Sequence, residues 1–452
     1  MERCHPSEVY ELFVRHMNTP RVVVDNGVCE TATLVQVHSA RKHGVLLEAV
    51  AALSDHGVCV RKGYISSDDG RWFMDVFHVT DAAGRKVADA DALLARVESS
   101  LSADALPPRT PPAAGAASAA ATAGALTLLE LVGADRPGLL SEVFAVLHDL
   151  RCGIVDARAW THGGRVAALV FVRDEETGAP IDDAARVRRV ESRLRHVLRG
   201  GARGARTVLA DATAVNLDRR LHQLLNEDGE AESRRADQAE APTTTAVAVQ
   251  DWGERGYSVV TVSCRDRPKL LFDVVCTLTD LDYVVYHGTF DTDGDQAQQE
   301  FYIRRLDGRP ICSAAERRRV IQCLQAAIER RASEGVRLEL RITDRRGLLA
   351  YVTRVFRENS LSVTHAEITT RGDMALNVFH VTDVAGRPAD PKTIDDVIQK
   401  VGTESLRVDE ERWPRLCSTE GGGGGGGGAG IFSLGSLVRR NLVSLGLIRS
   451  CS

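Results

Sequence analysis

Four stretches of this 452-residue chain superpose without a gap, and that shared register constrains the fold more than any other feature. They are TLVQVHSARKHGVLLEAVAAL, LTLLELVGADRPGLLSEVFAVL, SVVTVSCRDRPKLLFDVVCTL and VRLELRITDRRGLLAYVTRVF, aligned on Gly44, Gly138, Lys269 and Gly347. Nine and seven residues before each anchor stand Val35/Val37, Leu129/Leu131, Val260/Val262 and Leu338/Leu340. Apolar residues two apart predict one buried face of a strand. After the anchor the period becomes helical, with apolar side chains one, two, five, six and nine residues on, as in Leu139, Leu140, Val143, Phe144 and Leu147. Across the four copies Thr353 alone breaks that stripe. A second strand is expected at Val58/Val60, Cys152/Ile154, Tyr283/Val285 and Leu361/Val363.

Each copy then reads as a turn, a third strand (72–81, 165–174, 299–307, 374–383) and a second helix (Ala90–Leu101, Asp182–Leu198, Ser313–Arg331, Pro391–Val401). Asp390 followed by Pro391 predicts a capped helix start with proline at its first position. With a short closing strand, the order is the split βαβ, ferredoxin-like plan, an α+β class. The expected layout is an N-terminal extension (1–32), a first module (33–101), a Pro/Ala spacer (102–125) and a second module (126–199). A linker with a short helix and a charged run (200–256) leads to a third module (257–335), a fourth (336–410) and a flexible Gly-rich tail (411–452). Asn216–Asn226 predicts that short helix, and Arg21–Val24 and Val247–Trp252 predict added strands, the first folded back by Asn26-Gly27. Copies three and four, almost contiguous through Ala332-Ser333-Glu334-Gly335, are expected to pack as a pair.

Composition narrows the function classes. A hydrophobic content of 44% with only 5% aromatics suits small modules packed with Val, Leu and Ala. The formal charge of −5 provides no global basic field for nucleic acid or anionic lipid. The arginines from Arg186 to Arg206, in and after the second module's last helix, read as a solvated face rather than a nucleic-acid stripe or nuclear import signal. Glu2, Glu8 and Glu11 interrupt what would be a secretion signal, and no stretch of 18 strongly apolar residues predicts a membrane span. Ten cysteines without C-x-x-C or zinc spacing predict reduced thiols in the cytoplasm or nucleus, with no metal and no cofactor. Asp291, Asp293 and Asp295 lack calcium-loop spacing, and Ser39, Ser141 and Cys264 lack a nucleophile's context. The eight consecutive glycines of the tail lack the Lys-Ser that would make a phosphate loop.

The anchor is where chemistry fits. It leaves a strand and opens a helix, whose unpaired N–H groups and positive end can hold a carboxylate. Glycine there lets backbone approach a ligand. Three residues earlier, Asp135, Asp266 and Asp344 can take an α-ammonium group, so turn and carboxylate together match the two ends of an amino acid. An aspartate before a helix also serves as a plain turn former, and recurrence in register is what raises these above that reading.

With D-R-P-G-L-L, D-R-P-K-L-L and D-R-R-G-L-L at the first turns, the four units resemble ACT domains. The layout, including RRLHQLL between copies two and three and RPKLLFDVVCTLTDLDYVVYHGTF, is similar to the plant ACT-repeat proteins from about Arg21 to Val401. The resemblance implies ferredoxin-like units whose sheets pair edge to edge, within the chain or in a homodimer, and bind an amino acid beside the first turn. On these motifs the expected binding residues are Asp135, Gly138, Asp344, Gly347, Gly44 and Asp266. The first copy keeps Gly44 but has Arg41 and His43 for the Asp and Pro; the third has Lys269 for the glycine and is expected to be an altered site. No stretch is left over for a catalytic domain. The expected function is a non-catalytic metabolite sensor acting on a protein partner; the alternative is a scaffold that pairs and recruits without ligand.

Overall fold

The computed structural model describes residues 20–40, 44–68, 72–102, 125–199, 204–211, 216–233, 245–331 and 335–409. Arg41 and His43, the Pro/Ala spacer, most of the charged run and the glycine tail, on which expectations were stated above, lie outside the described residues. Repeat one is β1 (Arg21–Asp25), β2 (Thr33–Ser39), α1 (Val45–Asp55), β3 (Cys59–Asp68), β4 (Trp72–Thr80) and α2 (Ala90–Ser102). Repeat two is β5 (Ala125–Ala134), α3 (Leu139–Asp149), β6 (Cys152–His162), β7 (Arg165–Asp174), α4 (Ala184–Leu198) and β8 (Ala205–Asp211), and the linker helix α5 (Leu217–Ser233) follows. Repeat three is β9 (Ala246–Trp252), β10 (Tyr257–Arg265), α6 (Leu270–Asp280), β11 (Tyr283–Asp293), β12 (Gln296–Arg305) and α7 (Ala314–Arg331). Repeat four is β13 (Val336–Thr343), α8 (Leu348–Glu358), β14 (Leu361–Arg371), β15 (Met374–Asp383), α9 (Pro391–Val401) and β16 (Leu406–Val408).

The predicted periods become these elements for the reasons given. Val35, Val37, Phe77 and Val79 are buried on alternating positions of β2 and β4, and Asp390 caps α9 by accepting the Lys392 N–H. The expected closing strand forms in repeats two and four as β8 and β16. In repeats one and three the same sheet position is filled from the other side in sequence, by β1 and β9. A tight connection folds each of these back antiparallel on the repeat's first strand, through Asn26-Gly27 and through the turn Gly253–Arg255. The linker helix forms where expected and runs beyond it to Ser233.

Two antiparallel eight-stranded sheets result, in the orders β1-β2-β4-β3-β11-β12-β10-β9 and β16-β13-β15-β14-β6-β7-β5-β8. Repeat one therefore pairs with repeat three, and repeat two with repeat four, which corrects the expectation that three and four pack together. Side-chain volume at the seam accounts for the choice. Phe290 of β11 lies opposite Gly63 of β3, where a Cβ would stand 2.1 Å from the Phe290 ring. The position of Gly63 is held in repeat four by Ala366, so Phe290 has room against repeat one and not against repeat four. The other seam matches Ala157 with Ile368 and Ala159 with Ala366.

Helices α1, α2, α6 and α7 cover one face of the first sheet, and α3, α4, α8 and α9 one face of the second. Helix α5 lies on the outer face of the second sheet, with Leu221, Leu224 and Leu225 against Trp160, Leu169 and Phe171. It thereby sits between that sheet and α6. No helix among the described residues is long and apolar enough to cross a membrane.

Candidate functional site

The four first turns share one backbone shape. Gly44, Gly138, Lys269 and Gly347 have φ of 90°, 79°, 63° and 74°, the left-handed region that favours glycine. Lys269 holds it at a cost of about 1–2 kcal/mol. The aspartates three residues earlier are not the helix caps. Their backbone N–H groups donate to the hairpin tips of their own repeats, Asp135 to Gly164 O, Asp266 to Asp295 O and Asp344 to Asp373 O, each at 2.7 Å. That leaves the carboxylates beside the turn. Burial pushes the Asp135 and Asp344 carboxyls up from the ordinary value, opposed by the N–H and charge of Arg136 in one and by the Arg345 N–H and the Arg173 charge in the other. Asp266 faces Arg61 of repeat one at 3.8 Å.

The arginine after each aspartate has a role that sequence reading missed. Arg136 binds Glu142 on α3 through two hydrogen bonds of 2.7 and 2.5 Å and the Val197 carbonyl at 3.2 Å. Arg267 does the same in repeat three, to Asp273 at 2.8 Å and the Ile328 carbonyl at 2.7 Å. In repeat four Arg345 stands 5.7 Å from the Tyr351 ring centre. The signal was present as an arginine two before three of the anchors, with Lys42 in the first copy, and an acid or aromatic four after each.

Pairing sets each turn against its partner repeat, and there the copies diverge. The turn of repeat four borders a cavity of about 270 Å³, with Asp344, Arg346 and Gly347 on one side and His148, Arg173 and Glu175 among the residues opposite. Phe144 and Ile154 add an apolar wall, and Arg346 stands 3.5 Å from Glu175. The turn of repeat two borders about 10 Å³, because Arg357 lies across it: a Cβ on Gly138 would be 2.4 Å from Arg357 Cδ. At Gly347 the corresponding neighbour is the His148 ring at 3.2 Å. The turn of repeat one borders about 20 Å³, closed by Thr279, Tyr283 and Val284. His148, Thr279 and Arg357 all stand ten residues after their own anchors, so one register position supplies a neighbour to the partner's turn in three of the four copies.

Repeat one's small cavity also holds Asp75, which is 2% exposed, with no hydrogen-bond partner for its Oδ1 within the protein. Burial without a compensating cation pushes its carboxyl up to about 7.

The turn of repeat three is filled from within the chain. Lys269 Nζ lies 2.7 Å from Asp218 at the start of α5 and 3.4 Å from Asp55 of repeat one. Asp218 also pairs with Arg158 of β6 and, at 3.3 Å, with Arg331. Asp273, fully buried, accepts from Arg331, Arg267 and His222 at 2.9, 2.8 and 2.9 Å. Burial alone would raise both carboxyls, but Arg331 with Arg158 and Lys269 holds Asp218 far below the usual range, and Arg331 with Arg267 and His222 does so for Asp273. The Arg331 guanidinium lies 4.6 Å from the Trp160 ring centre, so this cluster ties the helices of one sheet to the outer face of the other. Among the described residues, no group of three or more His, Cys, Asp or Glu is placed to hold a metal ion.

The chain matches known families along its length. Residues 28–106 match the ACR family N-terminal ACT domain, 126–198 and 336–399 match the ACT domain, and 246–336 match an ACR9-like, ACT-like domain. It is 52% identical over 446 residues to the ACT domain-containing protein ACR8 of Arabidopsis thaliana, covering 98% of both chains. To ACR4 of the same plant it is 46% identical over 453 residues, again covering 98% of each, and to ACR2 37% over 486, covering 94% of each. With four ACT-type modules in register, edge-paired sheets and full-length likeness to these relatives, the chain belongs to the ACR family of ACT domain-containing proteins.

Proposed function

We propose that this protein is a non-catalytic amino-acid sensor whose principal site is the first turn of repeat four. The observation that carries the reading is the cavity of about 270 Å³ there, against about 10 and 20 Å³ at the turns of repeats two and one. In it the ligand's ammonium meets Asp344, its carboxylate takes the α8 N-terminus beside Gly347 with Arg173 and Arg346 near, and its side chain lies toward Phe144 and Ile154. Gly138, Asp135, Gly44 and Asp266 hold equivalent positions in turns that the protein's own side chains occupy, and they are subsidiary sites in this reading. The modules keep the boundaries expected above, and the protein acts in the cytoplasm or nucleus. Because the cavity lies between two repeats, a ligand that favours one spacing of α3 and α8 shifts the surface offered to a protein partner.

The test is a thermal-shift and calorimetric screen of the full chain against the twenty amino acids. A ligand of the native state at a hundred times its dissociation constant stabilises by about 2.7 kcal/mol. Gly347→Val should abolish that gain, while Gly138→Val should leave it. No shift with any amino acid at millimolar concentration would sink the sensor reading. It would favour a ligand-free scaffold, a second reading supported by the repeat-three turn, where Asp218 already stands on Lys269.

A further inference from the structure

The two sheets treat their outer faces differently. On the second sheet, Phe171 of β7 is buried beneath α5. The same register position in repeat three is Tyr302 of β12, which lines an open cavity of about 510 Å³. Its other walls are Trp252 of β9, Arg255 of the following turn, Tyr257 of β10, His287 of β11 and Arg304 of β12. The rings meet at tilted and edge-on angles, Trp252 with Tyr302 at 5.4 Å and Tyr257 with His287 at 5.8 Å between centres. Arg255 stands 5.3 Å from the Trp252 ring centre and Arg304 3.9 Å from that of Tyr257. The Arg304 guanidinium donates to the Arg255 carbonyl at 3.0 Å, and its Nε has no acceptor within the protein.

We propose that this cavity binds a nucleoside monophosphate. Its lining carries two guanidiniums and no carboxylate, so an anion is favoured and an amino acid's ammonium is not. The flat faces of Trp252 and Tyr302 offer a base the stacking that aromatic platforms on sheets provide. The volume is within the range of small-molecule sites. Planar guanidiniums are the groups that match a phosphate's oxygens in pairs. A single strand of nucleic acid is disfavoured, because Glu300, whose carboxylate accepts from the Tyr302 hydroxyl at 2.7 Å, puts a negative charge next along the same face. The chain's formal charge of −5 adds no attraction for a polyanion.

The experiment titrates the full chain with adenosine 5′-monophosphate, adenosine, inorganic phosphate and a short adenine oligonucleotide, read by calorimetry and by tryptophan fluorescence. The expected result is saturable binding of the monophosphate, with adenosine and phosphate each weaker. Tyr302→Ala and Arg255→Ala should each weaken it by about tenfold, the size of one lost stack or charge-assisted contact. Tyr302→Phe should retain binding and serves as the folding control, and Trp252→Phe should remove the fluorescence change while calorimetry still reports binding. Absence of saturable monophosphate binding, binding unchanged in both alanine variants, or binding of the oligonucleotide alone would each overturn the proposal.

Discussion

The two edge-paired sheets are built from the same module, yet they fill the seam to different degrees. In the pair of repeats one and three, large faces small: Phe290 stands against Gly63 and Ile65 against Gly288. In the pair of repeats two and four no glycine stands at the seam, and Ala157 lies against Ile368 and Ala159 against Ala366. The first pair also buries more charge. Asp273 on α6 is fully buried and multiply paired, whereas Glu142, the same position on α3, keeps 39% of its side chain exposed beside Arg136. Only in the second pair does a first turn border a cavity of ligand size among those described above. One pair is locked, and the other has kept room. Interlocking at the seam and charge at the turn can be spent on holding repeats together or left open for a ligand, and the same fold permits either.

The largest test of that contrast is removal of Asp273. Asp273→Ala leaves Arg267 without its carboxylate and Arg331 with Asp218 alone, and should cost about 3–5 kcal/mol in denaturant unfolding. Glu142→Ala, its counterpart on the exposed side, should cost about 1 kcal/mol or less. Equal losses would mean the two pairs are locked alike. Next comes the seam itself. Gly63→Val drives side-chain carbon into the Phe290 ring and should destabilise by about 3 kcal/mol, with partial recovery in Gly63→Val/Phe290→Ala. Ala157→Val, at the same position of the other seam, should cost visibly less, and a melting temperature that falls equally in both would break the large-against-small account.

A pH comparison is third in size. The folded chain keeps the Asp75 carboxyl protonated up to about pH 7, while the unfolded chain releases that proton near 3.8. Through that window the folded state holds the extra proton, so stability falls as pH rises and levels off above the folded value. Between pH 5.5 and 7 the loss is about 2 kcal/mol. Asp75→Asn should flatten that slope, and an unchanged stability–pH curve in the variant would show that Asp75 is not its source. The repeat-two position of Asp75 is Ala168, so the second pair has no matching term there. The smallest effect is expected from Arg357→Ala, which clears the turn at Gly138 for a stability cost of about 1 kcal/mol or less. If occupancy of the turns is decided ten residues after the anchor, the variant should gain a second amino-acid site by calorimetry, and stoichiometry unchanged from the parent would refute it.

Much of this was legible in the sequence, because the repeat register forced strands, helices and anchors into place four times over. The left-handed turn explains why three anchors are glycine, and β1, β9 and α5 fell where Asn26-Gly27, Val247–Trp252 and the RRLHQLL string pointed. Which repeats pair was not legible. Closeness along the chain suggested three with four, while the choice rests on whether Phe290 meets glycine or alanine across a seam, a fact that exists only once an edge partner is named. The openness of each turn was hidden for the same reason, since His148, Thr279 and Arg357 act on a turn in another repeat. The edge position filled by β1 and β9 differed because a strand from either direction in sequence satisfies the same unpaired backbone.

The interleaved pairing has a consequence for synthesis. Ile65 of the first repeat finds its partner Gly288 roughly 220 residues later, and at ribosomal rates of 5–20 residues per second that is a wait of roughly 10–45 s. During it, β3 stands as a bare sheet edge with a glycine notch at Gly63, able to accept the wrong neighbour. The notch gives that edge a size preference: Phe290 fills it, whereas Ala159, at the same register position of repeat two, is too small to do so.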